Sequence, residues 1–371
     1  MYIILAIIAF GIIIVIHELG HFLACRAFDV KVNEFAVGMG PKLFSKQGKE
    51  TLYSLRAIPF GGFCSMDGEY GERLERDDES DGESGDESVG ESDPDTPPDP
   101  RSYIAQKLWK RIVILAAGSV FNIIAAFFIV LFLSIGTHGY ITTTLSNVVD
   151  NLPEMGQSEI LTGDKVIAIN GERLYYYNDY VMFMNINADK PITITILRGD
   201  ERFEYVSRPY TVDGKQVYRY SLSFEVIEPT LWATLKYSFY QTFNFIRLIR
   251  VSIMMMASGA ASVTDVAGPV GIVSAMNTVA RESPNVSAAI ANIVYFAAFI
   301  AVNVGVINLL PIPAMDGGRI LFTFITVIVE KITRKKIHPK YENYINTGAF
   351  VLLVGLMALV MYNDIVKLIN G

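Results

Sequence analysis

Cysteine is scarce in this sequence. The two thiols among 371 residues, Cys25 and Cys64, stand far apart, with no cluster of metal-binding side chains around them. That excludes a disulfide framework and leaves buried or cytosol-facing free thiols. Basic excess is lacking as well. The formal net charge is −7, and residues 69–100 alone carry fourteen acidic and two basic side chains, so the rest of the chain is only +5. Such a balance gives no electrostatic footprint for nucleic acid. Histidine is rare, with four in all. The N-terminal apolar run has neither a basic region ahead of it nor a clean small-residue cleavage site. It therefore reads as a retained transmembrane helix, not a signal peptide.

What is abundant is apolar sequence. Hydrophobic residues make up 51% of the chain, and mean hydropathy is +0.34. Both values suit a polytopic membrane protein that carries a soluble domain. The pattern divides the chain into segments. Residues 1–68 hold the first span (2–24) and a strand-like stretch (31–58) with a turn at Gln47-Gly48-Lys49, followed by a Gly-rich loop at Pro59-Phe60-Gly61-Gly62; together these predict a membrane-associated β-hairpin. Residues 69–100 are Asp-, Glu-, Ser-, Gly- and Pro-rich and cannot bury a core, so a disordered acidic linker is expected. Residues 101–140 contain the second span, on which Asn122 is either helix-packing glue or a substrate contact.

Residues 141–228 alternate like an α+β domain, with a strand entering a turn at Asn170-Gly171 and a half-buried strand at 192–197. Residues 229–287 read as an interfacial amphipathic helix, because Lys236, Arg247 and Arg250 interrupt an apolar run, followed by a loop at Gly268-Pro269-Val270-Gly271. Residues 288–318 form the third span and end in Asn308-Leu309-Leu310-Pro311-Ile312-Pro313-Ala314-Met315-Asp316-Gly317-Gly318. Residues 319–371 supply a basic loop and the last span. The expected fold is a polytopic α-helical membrane protein with about four transmembrane helices, the hairpin and one inserted soluble domain.

One local pattern stands out against this background. His17-Glu18-Leu19-Gly20-His21 is an H-E-x-x-H sequence inside the first span. Side chains four apart share a helix face, so His17 and His21 can grip one metal ion while Glu18 reaches a water bound to it. Ionisable groups in hydrocarbon are costly and usually mark function. The plainer alternative is a pair of histidines at a helix end near the interface. Asp316, at a helix break made by two prolines and two glycines, is a candidate third ligand; its plainer alternative is a surface acid after a helix stop. Charge distribution tests the idea. The positive-inside rule puts the loops around 26–56, 101–111 and 331–340 in the cytoplasm. Asp316 then meets the histidines only if 230–256 does not cross; otherwise most of a ~30 Å hydrocarbon layer separates them.

With these motifs in order, the chain resembles the site-2 protease family of intramembrane zinc metalloproteases, in its bacterial PDZ-containing branch that regulates sigma factors. The resemblance rests on H-E-L-G-H at 17–21, G-P-K-L at 40–43, P-F-G-G-F at 59–63, Gly163-Asp164 with I-N-G at 169–171, G-P-V-G-I at 268–272 and N-L-L-P-I-P-A-M-D-G-G at 308–318. Four departures are visible: Met315 replaces a usual Leu, Gly118-Ser119 stands where Gly-Pro is common, one PDZ-like unit stands where some members have two, and the acidic insert 69–100 is outside the motif set. The resemblance implies one Zn2+ held by His17, His21 and Asp316, with Glu18 as general base. It also implies that Asn303 and Asn308 hold the substrate or stabilise the oxyanion, with helix packing as the plainer alternative, and that Pro311 and Pro313 shape the break. Residues 141–228 would be an extracytoplasmic PDZ-like domain, and the acidic loop would be cytoplasmic, in a protein of the bacterial inner membrane. The implied partners are the lipid bilayer, single-span membrane proteins such as anti-sigma factors or remnant signal peptides, and an upstream site-1-type protease that trims them first. A membrane-tethered PDZ adaptor with a vestigial metal site is the competing class; a transporter fits less well, for want of paired hydrophobic repeats.

Overall fold

The computed structural model describes residues 2–68, 99–151, 159–187, 190–212, 215–259, 268–334 and 340–370. The acidic stretch 69–98, for which disorder is expected, lies outside the described residues. The chain divides into two compact units: residues 1–129 with 245–371, and residues 130–244. Two helices run from one unit into the other, α2 (Leu108–Ser134) and α4 (Leu231–Ala257).

The first unit is mainly helical. It contains α1 (Tyr2–Ala27), the start of α2, the end of α4, then α5 (Pro269–Arg281), α6 (Val286–Asn308), α7 (Asp316–Thr333) and α8 (Lys340–Asn370). Among the described residues, four helical stretches are long and apolar enough to cross a membrane: Tyr2–Ala27, Leu108–Ser134, Val286–Asn308 and Tyr344–Val366. Their outward faces carry large bare apolar side chains, among them Ile8 and Ile12 on α1, Phe128 on α2 and Leu352 on α8. In water such faces would be a liability; in lipid they are matched. Helix α4 is not among the four. It is one unbroken helix in which Lys236, Arg247 and Arg250 interrupt the apolar run.

The strand-like stretch after α1 forms two long strands, β1 (Val32–Gln47) and β2 (Leu52–Met66), joined by a turn at Gly48. Each strand bends and pairs twice. Segment 32–37 pairs with 52–55 on one side and with 62–66 on the other, while 42–47 pairs with the far side of 52–56. The result is a four-segment mixed sheet: 32–37 and 52–55 run side by side in the same direction, and the other two pairings are antiparallel. The bends fall at Gly38, Gly40 and Gly61, all with positive φ (87°, 81° and 94°), a conformation that costs glycine nothing. The expected Gly-rich loop at 59–62 is thus strand. Its glycines bend β2 without ending it.

Three further expectations need correction. Gly268-Pro269-Val270-Gly271 is not a loop: Gly268 is the N-cap of α5 and Pro269 occupies the first turn, where its missing N–H costs nothing. That N-terminus is closed by Asp364 of α8, which accepts a hydrogen bond from the Gly271 N–H at 2.8 Å. The third span stops at Asn308, and Asp316 belongs to the helix that follows, as the first residue of α7. Of the basic loop expected from 319 to about 340, residues 319–333 are helical in α7, and 335–339 lie outside the described residues.

The second unit holds β3 (Tyr140–Asp150), β4 (Lys165–Ile169), β5 (Glu172–Arg173), α3 (Tyr177–Ile186), β6 (Ile192–Arg198), β7 (Glu201–Ser207), β8 (Pro209–Val212), β9 (Lys215–Tyr218) and β10 (Tyr220–Ile227). The main sheet runs β10-β3-β4-β6-β7, with β5 beside β4 and a separate β8-β9 hairpin. Asn170 and Gly171 both take positive φ (48° and 81°), as the tight primed turn between β4 and β5 requires. Ile192, Ile194 and Ile196 of β6 alternate with more exposed positions and form its core with Val166 and Ile169 of β4, which a bulge sets three residues apart.

Candidate metal centre

The site is assembled from α1, α2 and the α6–α7 break. On α1 the i, i+4 spacing sets His17 and His21 on one face, both buried at 7% and 5% relative exposure. A buried imidazole needs partners, and α2 supplies them. His21 Nδ1 lies 2.9 Å from the Ile114 carbonyl oxygen. His17 Nδ1 lies 3.4 Å from the Asn122 side-chain amide. Between these two contacts Gly118 leaves the room the rings occupy. A Cβ there would overlap His21 Nε2 and fall 2.9 Å from His17 Cε1 and Nε2. Gly20 does the same from the other side: its Cβ position is 2.6 Å from the Ala117 carbonyl oxygen. Small residues on both helices let the backbones approach this closely.

Asp316 arrives from the other end of the sequence. After Asn308 the chain turns through Leu309–Met315, with Ala314 in the left-handed region (φ 71°), and restarts as α7. Gly317 and Gly318 make the tight restart possible. Side chains there would collide with the carbonyl oxygens of Leu310 and Ile312, respectively. The Ala314 N–H, freed by the break, donates to Asn346 Oδ1 of α8 at 3.2 Å. Asp316 Oδ2 thereby comes to lie 3.1 Å from His17 Nε2 and 3.3 Å from His21 Nε2, and the two Nε2 atoms are 3.2 Å apart.

These three donors can be tested for fit to a metal. Tetrahedral ligands ~2.0–2.1 Å from a zinc ion are roughly 3.4 Å from one another. The observed spacings are close to that value, and His17, His21 and Asp316 are the set of candidate ligands that converges among the described residues. Two nitrogens and one carboxylate oxygen suit zinc, and three protein ligands leave a fourth position free, as catalytic sites do. The donor set fits.

The remaining sequence-predicted residues separate into two groups. Glu18, beside His17, faces β2: a Cβ on Gly62 would lie 3.2 Å from Glu18 Cγ, so glycine there gives the carboxylate stem its space. Asn308 Nδ2 reaches within 3.5 Å of His17 Nε2. Asn303 sits on α6, and Pro311 and Pro313 lie in the break. The Ile114 carbonyl is a contributor that residue patterns did not single out; Gly118 and Gly62 fall within motif positions of the resemblance, but the resemblance assigns neither a role at the metal centre.

A family model, Peptidase family M50, matches residues 5–356. The chain belongs to peptidase family M50, the site-2 protease family. A protein named as a zinc metalloprotease in Clostridium perfringens is 35% identical over 99% of each chain, and one from Clostridium acetobutylicum is 35% identical over 99% of this chain and 98% of its own. The regulator of sigma-W protease RasP of Bacillus subtilis is 27% identical, covering 98% of this chain and 97% of that one. This M50 member is a zinc metalloprotease embedded in a membrane.

Proposed function

We propose that this M50 protease cuts peptide bonds within the transmembrane segments of single-span proteins, using His17, His21 and Asp316 as zinc ligands and Glu18 as general base. The observation that carries the reading is the convergence of those three donors between apolar helices of membrane-spanning length. Zinc bound there supplies a Lewis acid and lowers the pKa of a water ligand from ~15.7 towards ~7. Glu18 is the residue that would hold the proton during attack on the scissile carbonyl and return it to the leaving amine. The Asn308 amide, whose Nδ2 lies 3.5 Å from His17 Nε2, donates to the carbonyl oxygen as charge builds on it. Asn303, Pro311 and Pro313 shape the wall along which the substrate lies.

A helical substrate hides its peptide bonds, so cleavage needs local unwinding. Segment 62–66 of β2 supports a way to hold the unwound strand. It is paired on one side by 32–37, and among the described residues no strand pairs with its other edge. Gly62 at its start abuts Glu18. An extended segment adding to that edge runs past the base. The insert between α2 and α4, with its antiparallel sheet and one helix, serves as a PDZ-like module outside the cytoplasm that screens substrate ectodomains. The substrates would be pre-trimmed by a site-1-type protease; membrane-bound anti-sigma factors are one such class, in keeping with a relative named as a regulator of sigma-W protease. Remnant signal peptides offer the same single apolar helix. The first span would run inward, which puts the acidic loop in the cytoplasm of a bacterial inner membrane.

The test is proteolysis of a reconstituted single-span substrate by wild type and Glu18→Gln, with mass spectrometry of the products. The wild type should cut inside the hydrophobic segment. Glu18→Gln should retain zinc and lose turnover by ~10²–10⁴-fold. Cutting only outside that segment, or full turnover in the variant, would refute the reading.

A further inference from the structure

Asn122 is absorbed by none of the roles above. It sits on α2 with 0% exposure. Its Nδ2 is the side-chain atom set 3.4 Å from His17 Nδ1, while its Oδ1 is buried with no hydrogen-bond partner among the described residues. That orientation conflicts with the metal centre in two ways. An amide N–H can donate to His17 Nδ1 only if the ring proton sits on Nε2, and Nε2 is the atom 3.1 Å from Asp316 Oδ2 that must offer its lone pair to zinc. A buried carbonyl oxygen without a donor also costs about 1–3 kcal/mol. A half-turn of the carboxamide removes both conflicts, since it exchanges two atoms of nearly equal size. Oδ1 then accepts from the His17 Nδ1–H, and Nε2 is free for the ion. The exchanged Nδ2 has the Ser119 hydroxyl one turn back on the same helix, itself buried without a partner among the described residues.

We propose that Asn122 is the positioning residue for His17, its side-chain carbonyl fixing the ring tautomer and orientation in which Nε2 faces zinc. The two imidazoles of α1 are then held alike from α2: His21 by a main-chain carbonyl at Ile114, His17 by a side-chain carbonyl two turns further on. Metal-bound histidines regularly donate their other N–H to such an oxygen. Asn122 is itself held by α6. A Cβ on Gly305 would lie 2.8 Å from the Ser119 carbonyl oxygen and 3.5 Å from Asn122 Cβ, so the α6 backbone presses on this turn of α2 and leaves the amide little freedom.

The inference rests on the zinc reading of His17, His21 and Asp316. Its test is zinc affinity, measured by competition with a chelator on the purified full-length protein, together with thermal unfolding of the zinc-free form. Asn122→Leu keeps the volume and removes the acceptor; it should weaken zinc binding 10–100-fold. Asn122→Asp keeps an acceptor at the same place and should bind zinc within a few-fold of wild type. If Asn122 only glued helices together, the order would reverse, because leucine packs well in a span and a buried carboxylate does not. Wild-type affinity in Asn122→Leu, or loss confined to Asn122→Asp, overturns the proposal. Should the leucine variant fail to fold, ¹⁵N-labelled histidine in the zinc-loaded wild type reads the same contact. An exchange-protected His17 Nδ1–H supports it and a freely exchanging one overturns it. A wild type that binds no zinc would instead overturn the underlying reading.

Discussion

His17 Nε2 and Asp316 Oδ2 are 3.1 Å apart although 299 residues separate them in sequence. Neither residue could occupy its place alone. A carboxylate or a pair of imidazoles buried among apolar helices is costly without a partner, and here each relieves the other. The contact also fixes chain geometry, because it requires the end of α6 to lie level with the C-terminal half of α1. An additional crossing by α4 would move Asp316 to the other end of the bundle.

Asp316→Asn is therefore expected to empty the site. Asparagine preserves the shape but removes the charge and the stronger ligand. Zinc content, measured by elemental analysis after purification in limiting zinc, should fall well below one per chain. Proteolysis should fall with it, by more than the ~10–100-fold that loss of an outer hydrogen-bond partner costs. Stoichiometric zinc in this variant would remove Asp316 from the ligand set.

Gly118→Ala adds one methyl group where the rings already are. Its Cβ would overlap His21 Nε2 and lie 2.9 Å from two atoms of His17, and the backbone of α2 cannot retreat without breaking the Ile114 contact. Overpacking of this kind costs about 1–3 kcal/mol, and the rings would yield by tilting out of register for the ion. The expected result is lower zinc occupancy and at least tenfold lower proteolysis, with a depressed melting temperature. An alanine variant with unchanged zinc content would mean that the rings have slack that the packing denies.

How much of this was legible beforehand depends on range. The H-E-x-x-H pair was visible because one helix turn carries it. Asp316 was visible because prolines and glycines beside an acid interrupt an apolar run. Residues 268–271 misled because glycine followed by proline marks a helix start as readily as a turn. The β1–β2 sheet was read as a plain hairpin because Gly38, Gly40 and Gly61 look like ends of strands and are bends within them. Gly118 and Gly62 were opaque for a different reason. What each leaves out matters only to a side chain on another element, and no periodicity records that. Asn122 was noticed as polar sequence in a span, but its partner could be named only once α1 and α2 were side by side.

The inserted unit gives a prediction independent of the metal. Asp164, 1% exposed, opens β4 and accepts from Arg198 Nε and Nη2 at 2.7 and 2.8 Å and from the Leu161 N–H at 2.8 Å. Burial alone would raise its pKa, but the Arg198 and Leu161 hydrogen bonds outweigh that and hold it below the ordinary carboxylate value. The folded-state pKa is thus lower than the unfolded one, ~3.9. The stabilisation is fully present above that value and drains away as pH falls through the folded-state pKa. Hydrogen exchange of β4 and β6 amides in the full-length protein, corrected for intrinsic rates, should therefore show protection that is flat from pH 7 to 5 and falls below pH 4. Asp164→Asn should lower protection at neutral pH by about 2 kcal/mol, the scale of a hydrogen bond to a charged group, and flatten the acid limb. A variant that keeps the wild-type acid limb would assign that pH dependence to other carboxylates of the unit.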